Sequence, residues 1–96
     1  MIVLIAKSVV PQKNKEAFLQ VAEKLVSETR KEAGCIFYDF VKDSNEENVY
    51  YFVEKYTDQE AVEAHKNSEH FVTYAPKMRA LREDAQLIQC DVLTFE

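Results

Sequence analysis

The chain has 96 residues, of which 47% are hydrophobic and 30% are charged, with one glycine, two prolines and a formal net charge of −5 at pH 7. These values fit one ordered globular domain over residues 1–96 and exclude collagen-like, low-complexity and disordered proteins. Because no segment concentrates lysine and arginine, we expect neither nucleic acid nor a membrane as a partner. The apolar residues 2–6 meet Lys7 too soon for a signal peptide or a membrane span, so we expect a cytoplasmic protein.

The first third of the chain predicts a strand and a long helix. Residues 2–10 are apolar or β-branched on both alternating faces, which is typical of a strand covered on both sides. Pro11 ends this strand, and from about Asn14 the apolar residues recur at helical spacing. Gly34 follows the helix, and we expect it to take the left-handed conformation common after a helix end.

Two strands joined by a polar turn come next. Residues 35–42 and 49–56 alternate in the manner of strands, and the polar residues 43–48 between them predict an antiparallel hairpin. The second of these strands carries four residues of interest on one face, namely Tyr50, Phe52, Glu54 and Tyr56.

Two helical segments follow the hairpin. Thr57 and Glu60 match a capping box for a short helix that carries His65 on its apolar face. Ser68 is placed to cap a further helix, in which we expect Pro76 to cause a kink or a restart.

Residues 87–95 predict a closing strand, which completes the order strand, helix, strand, strand, helix, strand. This order predicts a ferredoxin-like βαββαβ fold of the α+β class, with a four-stranded antiparallel sheet and its helices on one face. The other face would expose β-branched and aromatic side chains, so we expect a homodimer in which a second copy covers it. Cys35 and Cys90 would lie on opposite edge strands, which argues against a disulfide within one chain and favours two small buried apolar residues.

Both histidines fall in residues 54–71, where the chemically useful side chains are densest. Neutral imidazole is well suited to accept a proton near pH 7, so His65 is a candidate base, although a histidine on an apolar helix face is more often a hydrogen-bonded core residue. His70 would lie in the first turn of the next helix, where its ring could instead fix a turn. The two histidines have no third ligand at regular spacing, so no metal site is expected.

Aromatic side chains are predicted to surround these imidazoles. Phe52 and Tyr56 share a strand face, and the last helix carries an apolar stripe that includes Tyr74. Such stripes are usually core, but they also suit a pocket for a planar or carbonyl-bearing small molecule.

Two carboxylates on strands are further candidates. Glu54 shares the face of Phe52 and Tyr56, and it would need a hydrogen-bond donor if buried; Asp39 raises the same question on the preceding strand. Each is either a base or orienting group at a pocket, or a paired structural carboxylate. The sequence has no GxGxxG, P-loop, GxSxG or HExxH motif, which argues against nucleotide and flavin cofactors bound through such motifs.

The sequence resembles the antibiotic biosynthesis monooxygenase family over nearly its whole length. The resemblance is carried by Gly34-Cys35 ahead of Tyr38-Asp39, by Glu54-x-Tyr56, and by Asp58-x-x-Ala61-x-x-x-His65-x-x-Ser68-x-His70-Phe71. It implies a dimeric α+β barrel with a pocket in each subunit. It also implies oxidation of a small quinol or related electron-rich aromatic substrate by dioxygen, without metal, flavin or other cofactor.

The resemblance also implies roles for individual residues. His65 would be the base, with Tyr56 and Glu54 as further catalytic residues, and the substrate-binding residues would be Phe52, His70, Tyr74 and Asp39. Many members have tryptophan where Tyr56 stands, and the absence of tryptophan here argues against a haem-degrading activity.

Two alternatives stay open. The chain is also similar to isomerases of the same superfamily that process a phosphorylated dione, in which His65, Tyr56 and Glu54 would move a proton between adjacent carbons. A non-catalytic dimer that binds a small ligand would instead show a filled cavity with His65 sealed in the core.

Overall fold

The computed structural model describes residues 1–95 and has the element order that the sequence predicts. The strands are β1 (Ile2–Val9), β2 (Cys35–Lys42), β3 (Val49–Tyr56) and β4 (Asp84–Asp91), and the helices are α1 (Lys15–Thr29), α2 (Gln59–Lys66) and α3 (Glu69–Leu81), with a short 3-10 turn at Gln12–Asn14. The strands form one sheet in the order β2-β3-β1-β4, and all three neighbouring pairs are antiparallel. The predicted ferredoxin-like α+β fold is therefore confirmed.

The helices cover one face of the sheet. The core between them combines side chains from α1, α3 and the sheet, including Phe18, Leu25, Tyr38, Phe52 and Met78. Since successive strand residues point to opposite faces, the burial of Phe52 also turns Tyr50, Glu54 and Tyr56 toward the helices, and all three are buried. This is the strand face that the sequence predicts.

The opposite face of the sheet, called here the open face, has no helix over it. Directly paired residues of antiparallel strands point to the same side, which places Ile5, Val53 and Ile88 together on this face. Toward the edges, Phe37, Val41 and Ile88 are 37%, 42% and 45% exposed. The open face is thus apolar and partly in contact with solvent.

Gly34 differs from its prediction. No residue within 1–95 has a positive φ, so Gly34 does not take the left-handed conformation. Instead, a Cβ added to Gly34 would overlap the Cβ of Ala61 on α2, and the Gly34 carbonyl accepts a hydrogen bond of 3.0 Å from the Thr57 amide. The glycine is needed because the chain passes directly against the start of α2.

The cap of α2 lies one residue later than predicted, whereas the cap of α3 is confirmed. Asp58 has the extended backbone of an N-cap, and its carboxylate accepts the Ala61 amide at 2.9 Å, so the prediction of Thr57 as the cap is wrong. The Ser68 hydroxyl accepts the Phe71 amide at 3.2 Å. Asp58 thus fixes the start of α2, and Ser68 fixes the α2–α3 corner beside the two histidines.

Of the kink or restart predicted at Pro76, the restart is wrong, because α3 runs through this residue as one helix. Pro76 cannot donate to the Val72 carbonyl, but Val72 is exposed, so water can bond that carbonyl instead.

The last strand also differs from its prediction. It begins at Asp84, opposite Val9 of β1, and it ends at Asp91, so the predicted range of 87–95 is wrong at both ends.

The two cysteines lie on the edge strands β2 and β4 and are free, as predicted. Both are half-buried rather than fully buried. Burial raises the pKa of the Cys35 thiol to about 11, so this thiol is protonated at neutral pH and is a poor nucleophile. Within residues 1–95, no helix is both long and apolar enough to cross a membrane.

Candidate functional site

A cavity of about 340 Å³ lies between the sheet and helices α2 and α3. Its apolar wall comes from β1, β3, α1 and α3 and includes Leu4, Leu25, Phe52, Phe71, Ala75 and Met78. Glu54 from β3 and His65 from α2 also line it. A mostly apolar cavity with a few polar groups is typical of a small-molecule site, and this volume suits a small ligand.

His65 is positioned by a carboxylate behind it. Its side chain is 2% exposed, and its Nδ1 lies 2.8 Å from Oε2 of Glu32, in the turn between α1 and β2. Because a carboxylate oxygen accepts hydrogen bonds, we assign the proton of the neutral ring to Nδ1. The unprotonated Nε2 then lies on the other side of the ring, 4.0 Å from Oε1 of Glu54.

Burial lowers the pKa of His65 below its usual value, although the hydrogen bond and negative charge of Glu32 oppose this change. The ring is packed among aromatic side chains, with centroid distances of 5.6 Å to Tyr38, 5.4 Å to Tyr56 and 4.9 Å to Phe71. At neutral pH His65 is therefore a neutral, fixed imidazole with a free Nε2 lone pair.

Glu54 and Tyr56 form a second pair on β3. The Tyr56 hydroxyl donates to Oε1 of Glu54 at 2.7 Å, which supplies the donor that a buried carboxyl needs. The pKa of Glu54 is raised to about 7, chiefly by burial; the Tyr56 hydrogen bond opposes this change, and the charge of Glu32 adds to it. Burial likewise raises the pKa of Tyr56, so this phenol stays protonated. The Glu54 carboxyl can thus hold or release a proton near neutral pH.

The structure brings four predicted site residues together. His65, Glu54 and Phe52 line the cavity, and Tyr56 lies against both His65 and Glu54. Their roles in catalysis and binding stay predictions.

The other three predicted site residues lie outside the cavity. His70 lies behind Glu32, with its Nε2 2.5 Å from the same Oε2 that bonds His65. Tyr74 is partly buried against the core and does not line the cavity; the Nζ of Lys77 lies 5.6 Å from its ring centroid. The Asp39 side chain is 56% exposed and pairs with Arg30 at 3.1 Å, because β2 turns it to the open face.

Glu32, His65 and His70 offer three possible metal-ligand atoms within 4.8 Å of one another. Glu32 comes from a turn that lies 33 residues before His65 and 38 before His70, so the spacing of residues along the sequence does not reveal it as a third ligand. Two imidazole nitrogens approach one carboxylate oxygen at hydrogen-bond distance, so hydrogen bonding alone accounts for the arrangement.

Comparisons with known proteins agree with this fold. The model of the family "Antibiotic biosynthesis monooxygenase" matches residues 1–77. "Putative monooxygenase YcnE" of Bacillus subtilis (strain 168) is 36% identical over 81 residues, which are 84% of this chain and 85% of that protein.

Solved structures agree as well. A crystal structure of an antibiotic biosynthesis monooxygenase superposes with a TM-score of 0.91 at 26% identity, covering 98% of this chain and 100% of the other. The protein PA3566 from Pseudomonas aeruginosa superposes with a TM-score of 0.88 at 31% identity, covering 97% of this chain and 94% of the other. The chain belongs to the antibiotic biosynthesis monooxygenase family.

Proposed function

We propose that this protein is a monooxygenase that oxidises a quinol or related electron-rich aromatic molecule with dioxygen. The observation that carries the proposal is the free Nε2 of His65, which Glu32 orients at the wall of a mostly apolar cavity. The similarity to the Bacillus subtilis relative described as a monooxygenase adds support. The proposal invokes no metal or organic cofactor.

The first step is removal of a proton. His65 Nε2 takes a phenolic proton from the quinol, and the resulting anion is electron-rich enough to react with dioxygen. Since Nδ1 already donates to Glu32, the positive charge that forms on the ring is stabilised by that carboxylate. Phe52 and Phe71 supply apolar walls for a planar ring.

The second stage joins oxygen to carbon. Dioxygen adds at a ring carbon, and the peroxide formed there takes the proton held by His65. Loss of the hydrogen on that carbon as a proton, with cleavage of the O–O bond, leaves one oxygen on the ring and releases the other as water. Quinol plus dioxygen thus gives hydroxyquinone plus water, and the substrate supplies all the electrons.

The test is oxygen uptake with a panel of quinols. We expect His65→Ala to reduce the uptake rate by about 100-fold, the contribution typical of a positioned base, and Thr73→Ala on the exposed side of α3 to leave it unchanged. Circular dichroism checks that both variants fold. No uptake by the wild type, or equal uptake by His65→Ala, would contradict the proposal.

An isomerase acting on a phosphorylated dione is the second candidate. It is favoured by the position of Glu54, a carboxyl with a pKa of about 7, 4.0 Å from the base His65. Such a pair could remove a proton from one carbon and return one to its neighbour. An isomerase would exchange substrate hydrogen for deuterium in D₂O without oxygen, whereas the monooxygenase would consume oxygen.

A non-catalytic binder is expected to have a filled cavity with His65 sealed in the core. The cavity beside His65 is not filled by side chains, so the structure does not match that expectation.

We further propose that the protein forms a homodimer through the open face. The open face has an apolar centre at Ile5 and Val53, which continues to Ile88 on the edge strand. In a single chain this contiguous apolar surface would be in contact with water. A second copy is the partner that fits, because the same surface on two chains forms a closed two-fold interface.

Sedimentation equilibrium tests the dimer. We expect a mass twice that of the 11.2 kDa chain, and we expect Ile88→Glu to shift it toward the single chain, because the change places a charge in an apolar interface. Val72→Glu is the matched control, since Val72 is exposed on α3 away from the sheet. A single-chain mass for the wild type, or the same loss in both variants, would argue against this interface.

A further inference from the structure

Positive charge is concentrated in the lining of the cavity. Lys7, Lys66, Arg79 and Arg82 all contribute to this lining, while Glu54 is the one acidic residue among the lining side chains. The chain as a whole has 17 acidic and 12 basic residues, so its overall composition does not account for this excess of cations. A local cationic field in an acidic protein indicates a site for a negatively charged ligand.

The two arginines are not neutralised by the protein. Within residues 1–95, no carboxylate lies within 4.0 Å of either guanidinium. Arg82 is half-buried and has a weak hydrogen bond of 3.5 Å from its Nη1 to the Ser8 hydroxyl. Burial and the charge of Arg79 both lower the pKa of Arg82, the direction expected for a guanidinium that lacks a counter-ion.

The arginines lie at the end of the cavity away from Glu54. Glu54 is paired with Leu4 on β1, whereas Arg82 reaches Ser8, four residues further along the same strand. At the rise of an extended strand, this separation is roughly 13 Å. One ligand can therefore have a charged group at the arginines and a ring or carbonyl near His65.

We propose that Arg79 and Arg82 form a subsite for an oxyanion group of the substrate, a phosphate or a carboxylate on a small ring-bearing molecule. The planar, multiply donating guanidinium is well suited to such groups. The identity of the reacting end rests on the proposed function, but anion binding itself does not. The subsite makes a charged substrate a better ligand than a neutral quinol of the same size.

Calorimetric titration with three ligands that share one ring tests the subsite. Phenyl phosphate and benzoate carry the two kinds of oxyanion, and phenol carries none. We expect at least one of the two anions to bind about tenfold more tightly than phenol at low salt, and that advantage to shrink as salt is added. The stronger of the two identifies the group. Equal binding of all three ligands by the wild type would overturn the proposal.

Variants then locate the subsite. The double variant Arg79→Gln with Arg82→Gln is expected to lose the preference for the anion, whereas Lys77→Gln removes a charge from the same helix outside the cavity and should keep it. Both arginines also lie near the C-terminal end of α3, where they could merely stabilise the helix. In that case the double variant would melt at a lower temperature but retain its anion preference, which would overturn the proposal.

Titration is done without turnover, so its result is separate from the oxygen-uptake result. Anion binding without oxygen uptake would leave the subsite in place and reject the monooxygenase. Oxygen uptake with no preference for an anion would support the monooxygenase and reject the subsite. If the double variant does not fold, the single variants Arg79→Gln and Arg82→Gln take its place, and an unchanged anion preference in both would overturn the proposal.

Discussion

Replacing Glu32 by glutamine is expected to lower kcat/KM for quinol-dependent oxygen uptake about 100-fold, although Glu32 does not line the cavity. The wild-type carboxylate accepts the proton of His65 Nδ1 and so keeps Nε2 free as a base. A glutamine side chain can instead donate to Nδ1, which favours the tautomer with the proton on Nε2. Glu32 is thus a positioning residue that acts through His65.

The pH dependence of the Glu32→Gln variant separates positioning from a general loss of structure. The proposed reaction needs neutral His65, so the rate falls as the pH falls through the pKa of this residue, which lies below its usual value. Glu32 raises that pKa by its charge and hydrogen bond. Its replacement should therefore move the acid limb of the kcat/KM profile to lower pH, and nitrogen chemical shifts of His65 should report the change of tautomer.

Glu28→Gln is the matched control for Glu32→Gln. Glu28 lies in the last turn of α1, four residues before Glu32, but it is exposed and pairs with Lys31 at 3.4 Å, so the rate and the pH profile should stay as in the wild type. Glu32→Asp keeps the charge and should recover part of the activity. A Glu32→Gln variant with the wild-type pH profile and tautomer would exclude the positioning role.

Much of the site follows from local patterns in the sequence. The alternation of β3 predicts that Phe52, Glu54 and Tyr56 share a face, and the helical spacing of α2 predicts that His65 faces the core. The alternation of β2 likewise places Asp39 on the face opposite Tyr38. The sequence pattern therefore argues against burying the Asp39 carboxylate on the same side as that tyrosine.

The parts that sequence reasoning missed depend on tertiary contacts. Glu32 is 33 positions before His65, and nothing local distinguishes it from the other acidic residues of the chain. The charged end of the cavity also depends on a tertiary contact. In the sequence Arg79 and Arg82 resemble ordinary surface residues, and only the folded chain brings Arg82 to Ser8. Gly34 could have been recognised as a close contact only with the position of Ala61 known.

Glu54→Gln is expected to raise the free energy of unfolding, relative to the wild type, by more at alkaline pH than at acidic pH. In the folded state burial raises the pKa of Glu54 from 4.5 to about 7. Between these two values the unfolded chain releases the proton while the folded chain keeps it, so the wild type loses stability as the pH rises. The loss from this group is about 3 kcal/mol and is complete above pH 7. Glutamine has no proton to release and can still accept the Tyr56 hydrogen bond.

The measurement is the free energy of unfolding in urea between pH 4.5 and pH 8, at one protein concentration because association would add to stability. The difference between Glu54→Gln and the wild type should rise with pH by about 3 kcal/mol. His65 titrates in both proteins, so its main effect cancels in this difference. Glu47→Gln, an exposed site in the β2–β3 turn, should give a difference that does not change with pH. A flat difference for Glu54→Gln as well would mean that Glu54 is ionised in the folded protein at pH 5, and it would remove the proton donor on which the isomerase alternative depends.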